Sequence, residues 1–373
     1  MARKAYIGID GVAKAVKKSY VGVEGVARRI KKAYIGIGGV ARPCWSGAVP
    51  VYYGKVADLG VTKYGLAATS VGRYALFGGG SSGTYAPYAD AYDESLTKTK
   101  TASFGEIRTG LAATTVGGYA LFGGGLHSVG ETSTKQKGVD AFDASLTRST
   151  PTELKTARTD LSATTVGDYA LFVGGGTDVD AYDKSLTRST PTSISASLIK
   201  MAATTVADHA LFGGGRKEDF TSSAVVFAYD QSLTQTLAAE LGVLRSELAA
   251  TAVGGYALFG GGELITDLSH PQSAVDAYDK HLTKVDATEL STARCSLEAT
   301  TVGGYALFAC GVASDVVADV DAYDEYLVRT VPQPVSTPRR LFAAATVGNY
   351  ALFGGGFDID RKLTATVDAY TVI

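Results

Sequence analysis

Seven times along this 373-residue chain the phrase YALFGGG, or a close variant of it, returns: at Tyr74, Tyr119, Tyr169, His209, Tyr256, Tyr305 and Tyr350. The starts lie 45, 50, 40, 47, 49 and 45 residues apart, the period of a β-propeller blade and not of a helical solenoid. Seven copies predict seven blades.

One full unit reads as four strands: GLAATSV (65 to 71), YALFGGG (74 to 80), ADAYD (89 to 93) and SLTKTKT (95 to 101). Pairs such as Gly72 and Arg73, Gly117 and Gly118, Gly167 and Asp168, and Gly348 and Asn349 suit a two-residue hairpin between the first two strands, because glycine reaches positive φ without a steric penalty. Third and fourth strands are expected to meet at Asp93, Asp143, Asp183 and Asp279. Small residues such as Ala67, Ala68 and Thr69 suit an inner strand crowded around a central axis, while Leu76 and Phe77 suit a second strand packed on both faces.

The last unit stops at VDAYTVI, with its third strand, whereas VPVYYGKVADL (49 to 59) precedes the first unit where a fourth strand would stand. This N-terminal stretch is therefore expected to complete the last blade and close the ring. The prediction is an all-β chain in two parts: a propeller over residues 48–373 and a small basic module of β-hairpin repeats over residues 1–47.

The glycine run that ends the second strand and the aromatic residue of the third, Tyr92, Phe142, Tyr182, Tyr229, Tyr278, Tyr323 and Tyr370, resemble kelch repeats. The resemblance implies a seven-bladed kelch-like β-propeller and carries no activity with it. It departs at the tryptophan that kelch units carry in the fourth strand, which Ser145, Leu146 and Thr147 would replace here.

The first 45 residues follow a different period, 14: AYIGIDGVAKAVKK, SYVGVEGVARRIKK and AYIGIGGVARPCW. Asp10 and Gly11, Glu24 and Gly25, and Gly38 and Gly39 each separate two β-branched runs, which predicts a hairpin per repeat. The segment holds ten of the 35 Lys and Arg but only two of the 37 acidic residues, a charge of +8 that leaves −10 on the rest. Such polarity suggests two parts with different partners. An isolated hairpin is marginal in water, so the module is expected to need a partner: copies of itself, an acidic surface of a larger assembly, or simply the propeller it caps. Nucleic acid is the less favoured partner, since duplication of one hairpin also regularises Lys and Arg. Candidate attachment or oligomerisation residues are Tyr6, Lys17, Lys18, Tyr20, Arg28, Arg29, Lys31, Lys32 and Tyr34. The short YIGIDGVA and VARRIKK repeats resemble those that open tail and appendage proteins of phages and prophages from gut Firmicutes. That resemblance implies a virion protein assembled in a bacterial cytoplasm.

No apolar run of signal-peptide length follows the basic start, and none is long enough to span a membrane, so neither classical secretion nor membrane insertion is expected. Cys44, Cys295 and Cys310 have no metal-ligand spacing and are expected to be reduced structural thiols.

Residues repeated in every blade are poor catalytic candidates, because a reacting centre needs unlike groups in one place. Asp90, Asp140, Asp180, Asp276, Asp321 and Asp368, with Phe227 in the odd position, are therefore expected to cap turns or backbone. Individuality lies in the connections from second to third strand, which vary from 2 to 13 residues. Held on a rigid scaffold, they are where binding is expected, with Tyr85, Tyr88, His127, Arg216, Lys217, Phe220, His270 and Phe357 as candidates. A copper radical site is disfavoured because the four His, 127, 209, 270 and 281, are spread over three different repeats. Asp315, Asp319, Asp358 and Asp360 are available for glycoside hydrolysis or calcium, but a DxD pair alone specifies neither. The expectation is a non-enzymatic virion appendage, without cofactor or metal, that contacts other virion proteins and displays its loop face to a host-surface protein or glycan. The alternatives are an intracellular interaction scaffold and a carbohydrate-active enzyme.

Overall fold

Each YALFG run forms the second strand of a four-stranded antiparallel sheet, and seven such sheets make the blades of a propeller. The computed structural model describes residues 48–82, 87–129, 132–265 and 269–373, together with the backbone of the strands between residues 5 and 46. Blade 1 is built from Tyr64–Val71, Tyr74–Ser81, Tyr88–Asp93 and Lys98–Ser103. Blade 3 shows the shorter form of the others: Ser162–Val166, Tyr169–Val173, Val179–Tyr182 and Arg188–Ser189. Blade 7 takes its first three strands from Ala343–Val347, Tyr350–Gly354 and Val367–Val372, and its fourth from Pro50–Lys55.

Closure thus joins the two ends of the ring as expected. Tyr370 pairs with Tyr52 and Val372 with Pro50, with a bulge after Ala369. Val49 and Ile373 exchange backbone hydrogen bonds of 3.1 and 3.2 Å beyond the ladder. The Tyr52 hydroxyl donates to Asp368 at 2.7 Å.

The repeated apolar residues make the core between blades. Leu76, Phe77 and their counterparts in the second strands are fully buried, each worth about 1.5–3 kcal/mol by area transfer. The glycine after the Phe has a packing reason: a Cβ on Gly123 would lie 2.8 Å from the ring of Phe172 in the next blade. Gly124, at φ +67°, adds a conformational one, and its Cβ would meet the Arg158 carbonyl at 2.8 Å.

The turn between third and fourth strands is longer than expected. Tyr92 pairs with Lys98, so residues 93 to 97 form the turn and SLT does not enter the fourth strand. The Asp that opens each such turn accepts two backbone N–H groups, Ser145 and Thr147 on Asp143 at 2.9 Å each. The intervening Leu is left-handed, Leu146 at φ 62°. Ser145, Leu146 and Thr147 therefore do not occupy the position of a fourth-strand tryptophan.

The blade aspartates do more than cap backbone. One oxygen accepts an N–H from the connection entering the blade, such as Lys155 on Asp180 at 3.0 Å. The other receives a buried cation from the same connection: Arg108 on Asp140, Arg158 on Asp180, Arg245 on Asp276, Arg294 on Asp321, Arg339 on Asp368, and Lys63 on Asp90. The charge pairing corrects the expectation of capping alone. In blades 1, 2, 3, 5 and 6 a second cation arrives from the fourth strand, as Arg188 does on Asp180 at 2.8 Å. The third-strand tyrosines hold the same connections by donating to carbonyls at 2.7–2.8 Å, Tyr182 to Thr152 and Tyr370 to Gln333 among them.

Three hairpins precede the propeller: Ala5–Ile9 with Val12–Val16, Tyr20–Val23 with Val26–Arg29, and Lys32–Ile37 with Val40–Ser46. One hairpin per 14-residue repeat is what the sequence predicts. Tyr6, Tyr20, Arg28, Arg29, Lys32 and Tyr34 lie on these strands, while Lys17, Lys18 and Lys31 lie outside the described residues.

Candidate functional site at the channel mouth

The inner strands surround the axis, and their hydroxyls link neighbouring blades. Thr69 meets Thr115, Thr114 meets Thr165, and Thr164 meets Thr205, each at 2.9 Å. At the start of each inner strand stands one left-handed residue: Gly65, Gly110, Asp160, Lys200, Glu247, Ser296 and Leu341, with φ between 51° and 61°. Six of the seven backbones are joined around the axis, their N–H groups donating to the carbonyl of the preceding blade. The links run from Gly110 to Gly65, Asp160 to Gly110, Lys200 to Asp160, Glu247 to Lys200, Ser296 to Glu247 and, across the closure, Gly65 to Leu341, at 2.9–3.2 Å.

Such a ring fixes the backbone and leaves the side chains to differ. Left-handed geometry favours glycine, yet only Gly65 and Gly110 use it; the others place two carboxylates, an ammonium, a hydroxyl and an isobutyl group at equivalent positions. Residues held in this region despite a side chain are a marker of functional sites.

Asp160, Lys200, Glu247, Ser296 and Leu341 line a cavity of about 180 Å³ together with Leu161, Met201, Leu248, Leu297 and Glu298. Lys200 lies 3.0 Å from Glu247 and 4.0 Å from Asp160. The Ser296 hydroxyl donates to the second oxygen of Glu247. Burial opposes ionisation of both Lys200 and Glu247, but their mutual charge and hydrogen bond outweigh it, so the lysine is raised and the glutamate lowered from their ordinary values. This pair is held charged.

Glu298 differs. In strand register it stands opposite Ala309, the place held by Ala67, Ala112, Ser162, Ala202, Ala249 and Ala343 in the other blades. It has no hydrogen-bond or ion-pair partner among the described residues. Desolvation raises its carboxyl to about 8, outweighing the opposing pull of Lys200.

The cavity opens on the face of the variable connections. Residues that start the inner strands bridge to residues that follow the glycine runs, Ile199 to Arg216 and Arg340 to Phe357, so both belong to one side of the disc. The opposite side carries the two-residue hairpins, such as the turn between Val71 and Tyr74.

The structure does not gather the loop candidates into one site. Tyr85 lies outside the described residues. Tyr88 belongs to a third strand and not to a loop, with the Lys100 ammonium 3.9 Å from its ring centre. His127 sits in a hairpin, Leu126–Val129 with Thr132–Lys135, its Nδ1 2.8 Å from the Ile107 carbonyl. Arg216 lies over Phe220 at 5.1 Å, and Lys217 and Phe220 are exposed beside it. His270 is exposed on a short strand, Ser269–Pro271, and Phe357 packs on Tyr64 at 4.6 Å. Of these, Arg216 reaches the channel mouth electrostatically, acting on both Lys200 and Glu247. Asp358 caps Lys362 N–H at 2.8 Å, and among the described residues no three His, Cys, Asp or Glu are grouped to hold a metal ion.

No family model matches the sequence, and no curated protein matches it. Among solved structures, the one entitled "Structure of YjhT" is similar with a TM-score of 0.60 at 13% identity, over 74% of this chain and 99% of that one. The likeness is one of fold, a seven-bladed propeller.

Proposed function

We propose that this chain is a non-enzymatic display protein of a virus particle, in which the basic hairpin repeats attach or oligomerise and the propeller presents its variable face to a protein or glycan of the host surface. The observation that carries the proposal is the inequality of the two faces. One face is built of short repeated turns, while the other carries connections of differing length around a channel mouth whose residues differ from blade to blade. A rigid scaffold with individuality confined to one side is suited to recognition. The particle assignment rests on the +8 charge of residues 1–45 and on the resemblance of their repeats to those of phage appendages.

Light scattering on the full chain and on residues 48–373, at several salt concentrations, tests this division. The proposal expects an oligomer from the full chain and a folded monomer from the propeller alone. A full chain that stays monomeric at every salt concentration and joins no assembly would sink it.

A further inference from the structure

The channel mouth contains more charge than the fold uses. Lys200 is already satisfied by Glu247 and Asp160, and Ser296 by Glu247. Glu298 is the group left over: a carboxyl on an inner strand where five of the other six blades have Ala and one has Ser, lining the cavity without a partner among the described residues. Glu298 is half-buried among apolar walls, and a carboxyl so placed with no hydrogen bond is costly to ionise; restoring the repeat's own alanine would remove that cost.

We propose that this cavity binds an organic cation, a primary ammonium or guanidinium group on a short apolar stem, with Glu298 as the counter-ion. Once Glu298 ionises, the mouth holds three carboxylates, Asp160, Glu247 and Glu298, against the Lys200 ammonium and the neighbouring Arg216, so the excess charge there is negative and suits a cation. Three carboxylates without a grouped ligand set do not make a metal site. Leu161, Met201, Leu248 and Leu297 supply apolar wall for the stem, and a volume of about 180 Å³ restricts the guest to a small group or the end of a side chain. The guest enters from the face of the variable connections. The proposal stands apart from the particle assignment and holds whether or not the chain belongs to a virion.

Binding is coupled to protons. In the empty site Glu298 holds its proton to about pH 8, and a bound cation expels it. Lys200 and Glu247 are each pushed further into their charged forms, Asp160 and Arg216 are the other charged groups facing the pair, and Glu298 is the group whose proton is exchanged near pH 8. Affinity therefore falls about tenfold for each pH unit below 8 and levels off above it.

Calorimetry on the full chain decides the matter, with n-butylammonium and n-butylguanidinium as probes, 1-butanol as the uncharged control, and an acetylated Gly-Lys-Gly amide to represent a lysine side chain. Saturable binding of a cation at pH 8.5, weakening by at least tenfold at pH 6.5, is the expected result. Glu298→Ala should abolish both binding and pH dependence. Since Ala stands at this register in five other blades, that variant should fold, and Glu298→Gln, which keeps the shape, should behave in the same way. Binding of the peptide but not of the free amines would assign the cation to a partner protein; binding of the free amines would assign it to a small molecule. No binding of any cation at pH 8.5, equal binding of 1-butanol, or undiminished binding by Glu298→Ala would overturn the proposal.

Discussion

Leu198 and Phe227, both buried in one apolar cluster, hold in blade 4 the two positions that Arg158 and Asp180 hold as an ion pair in blade 3. The third member of the set changes with them. Gln235 replaces the second cation and donates to the Tyr229 hydroxyl at 2.8 Å. One blade has exchanged a buried charged triad for an apolar pair, and the ring has kept its geometry. Buried ion pairs are often no more stabilising than apolar residues of similar volume, although losing one partner is severe.

Transplanting that exchange into blade 3 should follow the same logic. Asp180→Phe alone strands the buried Arg158 and should cost about 3–5 kcal/mol, and Arg158→Leu, which leaves Asp180 with Arg188 as its one cation, should cost less. Arg158→Leu with Asp180→Phe and Arg188→Gln should recover most of that loss. Urea unfolding of the single and triple variants measures it, and a triple variant as unstable as the sum of the singles would show that blade 4 owes its tolerance to residues outside the triad.

Closure rests on a similar contact. Tyr52 takes in blade 7 the place of a fourth-strand cation, donating to the same aspartate that Arg339 meets from the other side. Tyr52→Phe should cost about 1–2 kcal/mol with an unchanged m-value. Removing residues 49–59 should abolish the single cooperative transition, because the third strand of blade 7 then becomes an open edge.

Much of this architecture was legible in the chain. The YALFGGG phrase marked the blades, and a third strand with no successor at the C-terminus located its partner near residue 50. What was not legible is what pairs across distance. Asp180 recurs visibly, but its cation lies 22 residues earlier in a connection that looks like a loop, so the aspartates suggested caps. Ser145, Leu146 and Thr147 suggested strand because a left-handed Leu leaves no mark in composition. The channel mouth leaves no mark in loop length, because its residues stand at the starts of the inner strands and not in the long connections. Aligning the blades on YALFGGG would have exposed the column Gly65, Gly110, Asp160, Lys200, Glu247, Ser296 and Leu341, along with the lone Glu298 among alanines. In a repeated fold, unlike residues in one column are the signal.

Thiol chemistry offers a check on the core. Cys295 and Cys310 are free and buried, and burial pushes each thiol up to about 12. With Cys44→Ser removing the third thiol, a thiolate-directed reagent at pH 8 should label the native protein no faster than it opens, and should label two groups at once in denaturant. Rapid native labelling would show that the wall between blades 5 and 7 is loose.

The account turns on Glu298 being retained for a ligand and not for the fold, and stability against pH separates the two. A carboxyl raised to about 8 in the folded chain and ordinary when unfolded binds its proton only in the folded state across that interval. Stability is then full below the ordinary glutamate value and declines as pH rises, by at most about 1.4 kcal/mol per pH unit, until it flattens above about 8. The direct measurement is the unfolding free energy of the full chain and of Glu298→Ala at pH 5 and pH 8.5, without ligand. The account predicts near equality at pH 5 and a more stable variant at pH 8.5; a variant less stable at both would mean that Glu298 serves the fold, and would contradict it.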